Sequence, residues 1–229
     1  MKVKYIDFIK NFRQFLYPYF FLLAVCIFLM LVFTKKELYF TVNQVHTVFA
    51  DVFFTYVTQL GSSRGCIAIA ILLILINFRK GFLLASSYIL TFIISQTIKH
   101  LVNAPRPHLF FAKKLNGIYL VKGVVMLDKD SFPSGHSVSA FTAAVVLTYF
   151  AKGKFTALVV LVLAVLVAYS RLYLSEHFLE DVTTGSAIGV FITTFWLYWI
   201  NQQPFLQNEN WNKGIFGRKK SEDDSSKSS

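Results

Sequence analysis

The sequence predicts an all-α membrane protein, a bundle of six transmembrane helices with a short interfacial helix before them. Hydrophobic residues make up 55% of the 229 residues and charged residues only 15%, whereas soluble domains are roughly 45–50% apolar and about 25% charged. The apolar residues also fall into several long runs that short polar or basic segments separate, which is typical of a polytopic membrane protein. One compact helical domain accounts for this length.

The first 17 residues predict an amphipathic helix on the membrane surface. Basic residues alternate with aromatic and aliphatic ones between Lys2 and Leu16, as in helices that lie in the interface plane. The apolar run that follows ends at Thr34-Lys35-Lys36-Glu37, which lacks the small residues of a signal-peptide cleavage site. We therefore predict an uncleaved first span.

The membrane domain is predicted over residues 18–200. Residues 40–60 are less apolar and predict an interfacial or partly re-entrant helix outside the membrane. Pro105 and Pro107 end the third span, because proline lacks a backbone donor and disfavours helical geometry in the residue before it. Residues 201–229 are rich in polar residues and predict a polar tail. The six predicted spans are 18–33, 62–77, 81–99, 136–151, 155–174 and 178–200.

Basic residues predict the orientation. With six spans, both termini, the Arg79-Lys80 turn and the Lys152–Lys154 turn share one side, which the positive-inside rule makes the cytoplasm. The loop 108–131 then faces outward, although it and its neighbours are also basic. The net charge of +11 fits contacts with lipid headgroups, and no soluble basic domain indicates a nucleic-acid partner. Cys26 and Cys66 lie in apolar runs and predict packing rather than a disulfide or metal site.

Residues 170–181 contain charges at a junction between two apolar runs, and charged residues inside a membrane domain indicate a functional site. His177 and Asp181 are four residues apart and would share one face of a helix. In that geometry the carboxylate holds one imidazole nitrogen and leaves the other free to attack. The plainer alternative is a polar pair whose members satisfy each other inside the bundle.

Two further groups of residues would meet this stretch at the outer ends of spans three to six. Lys99 and Arg106 end the third span, although such cations commonly only extend toward the interface. Ser134, Gly135 and His136 open the fourth span, where backbone amides favour an anion. Three cations including Arg171 suit a phosphate, and a second histidine suits a general acid. The residues predict phosphoryl transfer through a covalent histidine intermediate, with no metal and no cofactor.

The three motifs together resemble the type 2 phosphatidic acid phosphatase superfamily (PAP2). Its pattern is Lys-x6-Arg-Pro, Pro-Ser-Gly-His and Ser-Arg-x5-His-x3-Asp, found here as Lys99 to Pro107, Pro133 to His136 and Ser170 to Asp181. The resemblance covers about residues 40–200. It implies the helical fold of acid phosphatases and haloperoxidases, in a compact bacterial lipid phosphatase of the inner membrane with its site facing the periplasm or exterior.

The resemblance also implies a role for each site residue. His177 would attack phosphorus to form a phosphohistidine, and Asp181 would orient it. His136 would protonate the leaving lipid oxygen and then activate water. The phosphate would be bound by the remaining members, which are Lys99, Arg106, Ser134, Gly135 and Arg171. Glu176 and Glu180 match no position of the family pattern. We expect both to be solvated at the interface, and the alternative is that they repel or select headgroups.

Several functions stay open at this level. The expected substrates are phosphatidic acid, phosphatidylglycerol phosphate, undecaprenyl pyrophosphate or lipid A, with a specialised lipid A phosphatase as one alternative. A phosphotransferase would use the same phosphohistidine with another lipid as acceptor. A non-enzymatic lipid-binding relative is disfavoured because His136 and His177 are both present, and the apolar runs exclude a soluble haloperoxidase. The oligomeric state is left open.

Overall fold

A computed structural model describes residues 5–111, 117–151 and 153–215, and all regular structure in those ranges is helical. Short 3-10 helices cover Thr58–Gly61, Pro204–Gln207 and Glu209–Asn212. The α-helices are α1 Tyr5–Lys10, α2 Arg13–Val32, α3 Lys35–Asn43, α4 Val48–Val57, α5 Ser63–Ile76, α6 Phe78–Val102, α7 Pro107–Phe111, α8 Gly135–Phe150, α9 Lys154–Tyr173 and α10 Leu179–Ile200. The predicted all-α class is confirmed.

The number of spans stays a prediction. Helices lie at all six predicted positions, in α2, α5, α6, α8, α9 and α10. Within the described ranges, three stretches are long and apolar enough to cross a membrane, namely Arg13–Val32, Phe78–Phe111 and Lys154–Tyr173. A fourth joins them if Val48–Gly61 and Ser63–Ile76, which meet at a bend of 56°, form one broken span. Length and composition therefore indicate three or four spans.

The N-terminal segment packs against the bundle, and its position at the membrane interface stays a prediction. The helix α1 has only 6 residues, and α2 begins at Arg13 and passes through Pro18 without ending. Phe12 and Phe15 are fully buried, and Phe12 stacks on Tyr149 of α8 with ring centroids 6.0 Å apart. Burying large aromatic side chains is strongly favourable, so this segment joins the core of the bundle.

Close packing of α10 on α8 brings the two halves of the predicted site together. A Cβ atom on Gly185 would lie 2.6 Å from the Ser134 carbonyl oxygen, and one on Gly189 would lie 2.7 Å from the Val138 carbonyl oxygen. Any larger residue would push the two backbones apart. Small residues at such crossings let membrane helices approach each other closely.

Three buried threonines link α6, α8 and α10 through the centre of the bundle. Thr193 Oγ1 donates to Thr142 Oγ1 at 3.3 Å, and Thr142 Oγ1 donates to Thr91 Oγ1 at 3.2 Å. Thr91 in turn donates to the Ser87 carbonyl oxygen at 2.9 Å. Each hydroxyl is buried, so this threonine ladder satisfies polar groups that would otherwise lack partners in an apolar interior.

The first part of the predicted polar tail packs against the bundle. Leu206 is buried in the core, and Trp211 lies against Phe82 of α6 with ring centroids 5.0 Å apart. The Phe78 backbone N–H donates to the Lys213 carbonyl oxygen at 2.8 Å. The apolar residues of this segment explain its docking. The rest of the predicted tail, residues 216–229, lies outside the described ranges.

Candidate active site

His177 and Asp181 meet as the spacing predicts, but a helix cap holds them rather than a helix face. The helix α10 begins at Leu179, so His177 lies in the link that leads into it. The His177 backbone N–H donates to the Arg171 carbonyl oxygen at 3.2 Å. Its Nδ1 then lies 3.4 Å from Asp181 Oδ2. This contact favours the tautomer with a proton on Nδ1, which leaves the lone pair on Nε2 free.

Asp181 is itself fixed by two further donors. Its Oδ2 accepts from the Phe178 backbone N–H at 2.8 Å, which caps α10, and from Ser131 Oγ at 2.5 Å. The Asp181 backbone carbonyl accepts from the Ser134 N–H at 2.9 Å. The carboxylate therefore has one orientation, and it orients the imidazole. The role of Ser131 was missed in the sequence, where it stands two residues before the Pro-Ser-Gly-His motif with no sign of its partner.

Burial controls the protonation of His177. The side chain is only 2% exposed, and desolvation holds its pKa well below the ordinary value of about 6.5. The cations of Arg171, Arg106 and Lys99 act in the same direction, because they repel an added positive charge. The imidazole is therefore neutral at physiological pH, the form that a nucleophile requires.

The loop before α8 holds two of the predicted phosphate ligands through its backbone. Lys99 Nζ donates to the Asp130 carbonyl oxygen at 2.5 Å, and Arg106 Nε donates to the Lys129 carbonyl oxygen at 3.0 Å. Both side chains are buried. Asp130 adopts a left-handed backbone, with φ of 58°, which turns the loop at this point. The loop thus positions both cations near the histidines.

Arg171, the third cation, comes from the last turn of α9. Its Nη1 donates to Thr58 Oγ1 at 2.8 Å, whereas its buried Nε has no hydrogen-bond partner within the described residues. A buried N–H of a guanidinium without a partner is costly, and an anion would satisfy it. Thr58 was missed in the sequence, because its partner lies 113 positions further along the chain.

Glu176 corrects the expectation of a solvated residue. It is 2% exposed, its carboxylate forms a close ion pair with Arg106, and its Oε2 lies 3.3 Å from Arg171 Nη2. The cause is the preceding residue: Ser175 has φ of 59°, a left-handed conformation that turns the chain inward. The hydroxyl of Ser175 accepts from Tyr39 Oη at 3.0 Å and from Asn43 Nδ2 at 2.9 Å.

Glu180 is also not simply solvated. Its side chain is 31% exposed and forms a close ion pair with Lys35, whose side chain is 42% exposed. Lys35 begins α3, so this pair links α3 to the first turn of α10. The ion pair lies at the rim of the site rather than in its interior.

The N-terminus of α8 contributes the remaining predicted residues. Ser134 caps the helix, and its Oγ accepts from the Ser137 N–H at 3.4 Å and from Ser137 Oγ at 3.0 Å. A Cβ atom on Gly135 would lie 3.9 Å from Lys99 Cε, which places this turn beside the lysine. His136 lies in the first turn of α8, near enough to Lys99, Arg106 and Arg171 for their charges to act on its imidazole. The structure thus brings the eight predicted site residues into one region.

A cavity of about 450 Å³ opens beside His177. Its walls are mainly apolar and include Leu29 of α2, Phe33 just after α2, and Leu172 of α9. Lys35 and Glu180 also line it. No group of three or more His, Cys, Asp or Glu side chains that could hold a metal ion occurs in residues 5–111, 117–151 and 153–215, and the metal-free mechanism stays a prediction.

Comparison with known proteins identifies the family. The family model of the PAP2 superfamily matches residues 80–205, a region that contains all three motifs. The chain belongs to the PAP2 superfamily. This membership confirms the resemblance noted in the sequence.

Individual PAP2 relatives show how far the similarity extends. LpxE of Aquifex aeolicus has a solved structure that matches with a TM-score of 0.63 and 31% identity, over 71% of this chain and 93% of that one. Undecaprenyl-diphosphatase of Sulfolobus acidocaldarius is 32% identical over 54% of this chain and 57% of its own length. Lipid A 4'-phosphatase of Porphyromonas gingivalis is 29% identical over 40% of this chain and 37% of its own length. The chain therefore spans about half, or less, of the curated relatives it matches.

Proposed function

We propose that this protein is a membrane lipid phosphatase that hydrolyses a phosphate monoester or pyrophosphate through a phosphohistidine. The observation that carries the proposal is the buried His177–Asp181 pair, which lies beside three buried cations in a chain of the PAP2 superfamily. A neutral imidazole, held by a carboxylate and surrounded by phosphate-binding side chains, suits nucleophilic attack on phosphorus.

The reaction has two steps. In the first, Nε2 of His177 forms a bond to phosphorus and the bond to the leaving lipid oxygen breaks, with its electron pair leaving on that oxygen. His136 must be protonated when this step begins, and it donates the proton that the oxygen takes up. In the second, His136 accepts a proton from water, the water oxygen bonds to phosphorus, and the N–P bond breaks. Inorganic phosphate leaves and both histidines return to their starting forms.

The cations stabilise the charge on the phosphoryl group in both steps. Lys99, Arg106 and Arg171 are buried, and fixed charges act more strongly in a water-poor site than in solution. Ser134 and the Gly135 N–H would add neutral donors at the N-terminus of α8, which favours an anion. Asp181 would offset the positive charge that develops on the phosphorylated imidazole.

The substrate class is a phosphorylated lipid. The apolar cavity beside His177 suits a hydrocarbon chain, and the two curated relatives are named for an undecaprenyl diphosphate and for lipid A. We propose a site on the outer face of the bacterial inner membrane with both termini in the cytoplasm. A specialised lipid A phosphatase and a lipid phosphotransferase are the alternatives, because both would use the same residues.

Phosphate release by the purified protein in detergent tests the proposal. The panel contains phosphatidic acid, phosphatidylglycerol phosphate, undecaprenyl pyrophosphate and lipid A, each with wild type, His177→Ala and His100→Ala. His100 is an exposed histidine of α6 outside the motifs and serves as the control. We expect release by wild type and His100→Ala and none by His177→Ala.

Two outcomes would contradict this proposal. Full activity of His177→Ala would exclude His177 as the nucleophile. Transfer of the phosphate to an added acceptor lipid, with no release of inorganic phosphate, would indicate a phosphotransferase. Activity should also survive a strong chelator, since side chains supply both nucleophile and charge. Activity that is lost with the chelator and restored by magnesium would contradict the metal-free mechanism.

A further inference from the structure

Lys35 is directed toward the candidate active site although it belongs to none of the three motifs. Thr34 caps α3 in a reciprocal capping box with Glu37, which fixes the start of the helix and therefore the position of Lys35. The Lys35 ammonium lies 4.5 Å from the ring centroid of Phe178 and 5.3 Å from that of Phe110. Phe178 follows His177 directly, so the ammonium sits at the edge of the site.

The same lysine lies in the wall of the apolar cavity. Lys35 and His177 both line this cavity, and Lys35 is the only Lys or Arg side chain among its described lining residues. The hydrocarbon side chains of Leu29 and Phe33 line the same cavity. A lipid bound with its terminal phosphate at His177 and its chain among these apolar residues would pass the ammonium on the way.

We propose that Lys35 binds the second phosphate of a lipid diphosphate and so selects diphosphates over monophosphates. This inference rests on the phosphatase function proposed above. The three buried cations surround the phosphate that reacts, and Glu176 already pairs with two of them. A second phosphate, joined to the first through the bridging oxygen on the side of the lipid chain, therefore needs a cation of its own, and Lys35 supplies one there.

Glu180 holds Lys35 in the absence of this phosphate. The Lys35 side chain is 42% exposed and the Glu180 side chain 31%. Ion pairs that reach solvent contribute little to stability. The inner phosphate of the diphosphate carries one negative charge and develops more as the bridging bond breaks, so it competes for the ammonium, and the Glu180 carboxylate can then turn toward water. The faces of Phe178 and Phe110 keep the ammonium in place during this exchange.

The contact would also assist the chemistry. When His177 forms its bond to the terminal phosphorus, the bridging oxygen–phosphorus bond breaks and its electron pair stays on the bridging oxygen. The negative charge that develops on this oxygen lies next to Lys35 until His136 protonates it, and the leaving group is a lipid monophosphate. Water cleaves the phosphohistidine and releases inorganic phosphate. A lipid monophosphate has no second phosphate and gains nothing from this lysine.

A matched pair of substrates tests the inference. Phosphate release from farnesyl diphosphate and farnesyl monophosphate is measured for wild type, Lys35→Met and Lys36→Met. Methionine keeps an apolar stem against Phe178, and Lys36 is the exposed neighbour. We expect Lys35→Met to lower the ratio of kcat/KM between diphosphate and monophosphate about tenfold, as for one lost charge-assisted hydrogen bond. Lys36→Met should leave the ratio unchanged.

Glu180→Gln provides the second variant. This substitution frees Lys35 from its partner and should raise the ratio of kcat/KM between diphosphate and monophosphate severalfold. It should have no such effect in the Lys35→Met background, because the two residues then no longer interact. Equal losses on both substrates in Lys35→Met would overturn the inference and indicate a structural role. The inference would also be overturned if the wild-type protein hydrolysed phosphatidic acid but not farnesyl diphosphate. That result would leave the phosphatase proposal standing. Wild type without activity on any phosphorylated lipid would instead reject both.

Discussion

A neutral imidazole at position 177 is maintained by exclusion of water. His177 is 2% exposed, and desolvation lowers its pKa well below about 6.5, with Arg171, Arg106 and Lys99 adding to the effect. The protonated imidazole is positively charged, and burial and neighbouring cations both disfavour that charge. The pKa of His177 is therefore lowered, and protonation needs a lower pH. His177, the proposed nucleophile, should therefore stay unprotonated in mildly acidic solution.

NMR of the protein labelled with 15N-histidine tests this protonation state. The chain has five histidines, and comparison with His177→Ala identifies the signal of His177. Because its pKa is lowered, we expect the signal to keep the chemical shift of a neutral imidazole from pH 7.5 down to pH 5.5. A transition centred near 6.5, the ordinary pKa of an exposed histidine, would show that the site is open to water.

Glu176 reduces the positive charge available to a substrate phosphate. Its carboxylate pairs with Arg106 and Arg171. Glu176→Gln keeps an oxygen that can accept from both guanidiniums but removes the charge. We therefore expect inorganic phosphate to inhibit this variant about tenfold more strongly than wild type, the scale on which one nearby charge acts.

Asp128→Asn is the control for Glu176→Gln, because it removes one negative charge from a side chain that is 73% exposed. It should change the inhibition constant little, since solvent screens an exposed charge. Weaker inhibition of Glu176→Gln by phosphate would contradict the prediction. It would mean that the negative charge of Glu176 is needed to orient the two arginines.

At the scale of elements, the site depends on the contact between α8 and α10. Ser134, Gly135 and His136 open α8, and Asp181 lies in the first turn of α10. Gly185 allows the two backbones to meet, because a Cβ atom there would lie 2.6 Å from the Ser134 carbonyl oxygen. The distance between the two halves of the site is therefore set by a residue that takes no part in the chemistry.

Gly185→Ala should separate the two helices. We expect the melting temperature in detergent to fall by roughly 3–10 °C, which corresponds to the 1–3 kcal/mol cost of overpacking, and phosphate release to fall with it. Gly153→Ala is the matched control, because the nearest neighbour of its Cβ would be Thr156 Oγ1 at 3.9 Å. Equal melting temperatures for the two variants would show that α8 and α10 can repack without cost.

The sequence predicts the elements better than it predicts their contacts. Apolar runs locate all six long helices, since burial in lipid or protein requires such runs. The sequence does not predict the packing of Trp211 on Phe82, because a few apolar residues in a polar segment show no helical or strand periodicity. In the site, the motifs place His177 and Asp181 together, but Ser131 and Thr58 act through partners far along the chain. The inward turn of Glu176 depends on one backbone angle at Ser175, which no pattern predicts.

At the scale of the whole molecule, the site and the basic turns lie at opposite ends of the long helices. The site gathers at the end of α6 and the start of α8. The Arg79-Lys80 turn lies at the start of α6, and Lys154 follows the end of α8. If the bundle spans the inner membrane with its basic turns in the cytoplasm, the site faces outward.

Cysteine labelling tests this orientation. Cys26 and Cys66 are first replaced, and Lys129→Cys or Lys154→Cys is introduced at an exposed position of either end. We expect a membrane-impermeant maleimide to label Lys129→Cys in intact spheroplasts, and Lys154→Cys only after the membrane is permeabilised. The reverse pattern would place the site in the cytoplasm.

The threonine ladder has a direction, and that direction constrains how the bundle can evolve. Thr193 donates to Thr142, Thr142 donates to Thr91, and Thr91 donates to a carbonyl oxygen of its own helix. Loss of Thr193 removes a donor and leaves every other donor paired, whereas loss of Thr91 leaves the Thr142 hydroxyl without its acceptor, which costs more. Replacement of these threonines by apolar residues should therefore cost least at the Thr193 end of the ladder and most at the Thr91 end.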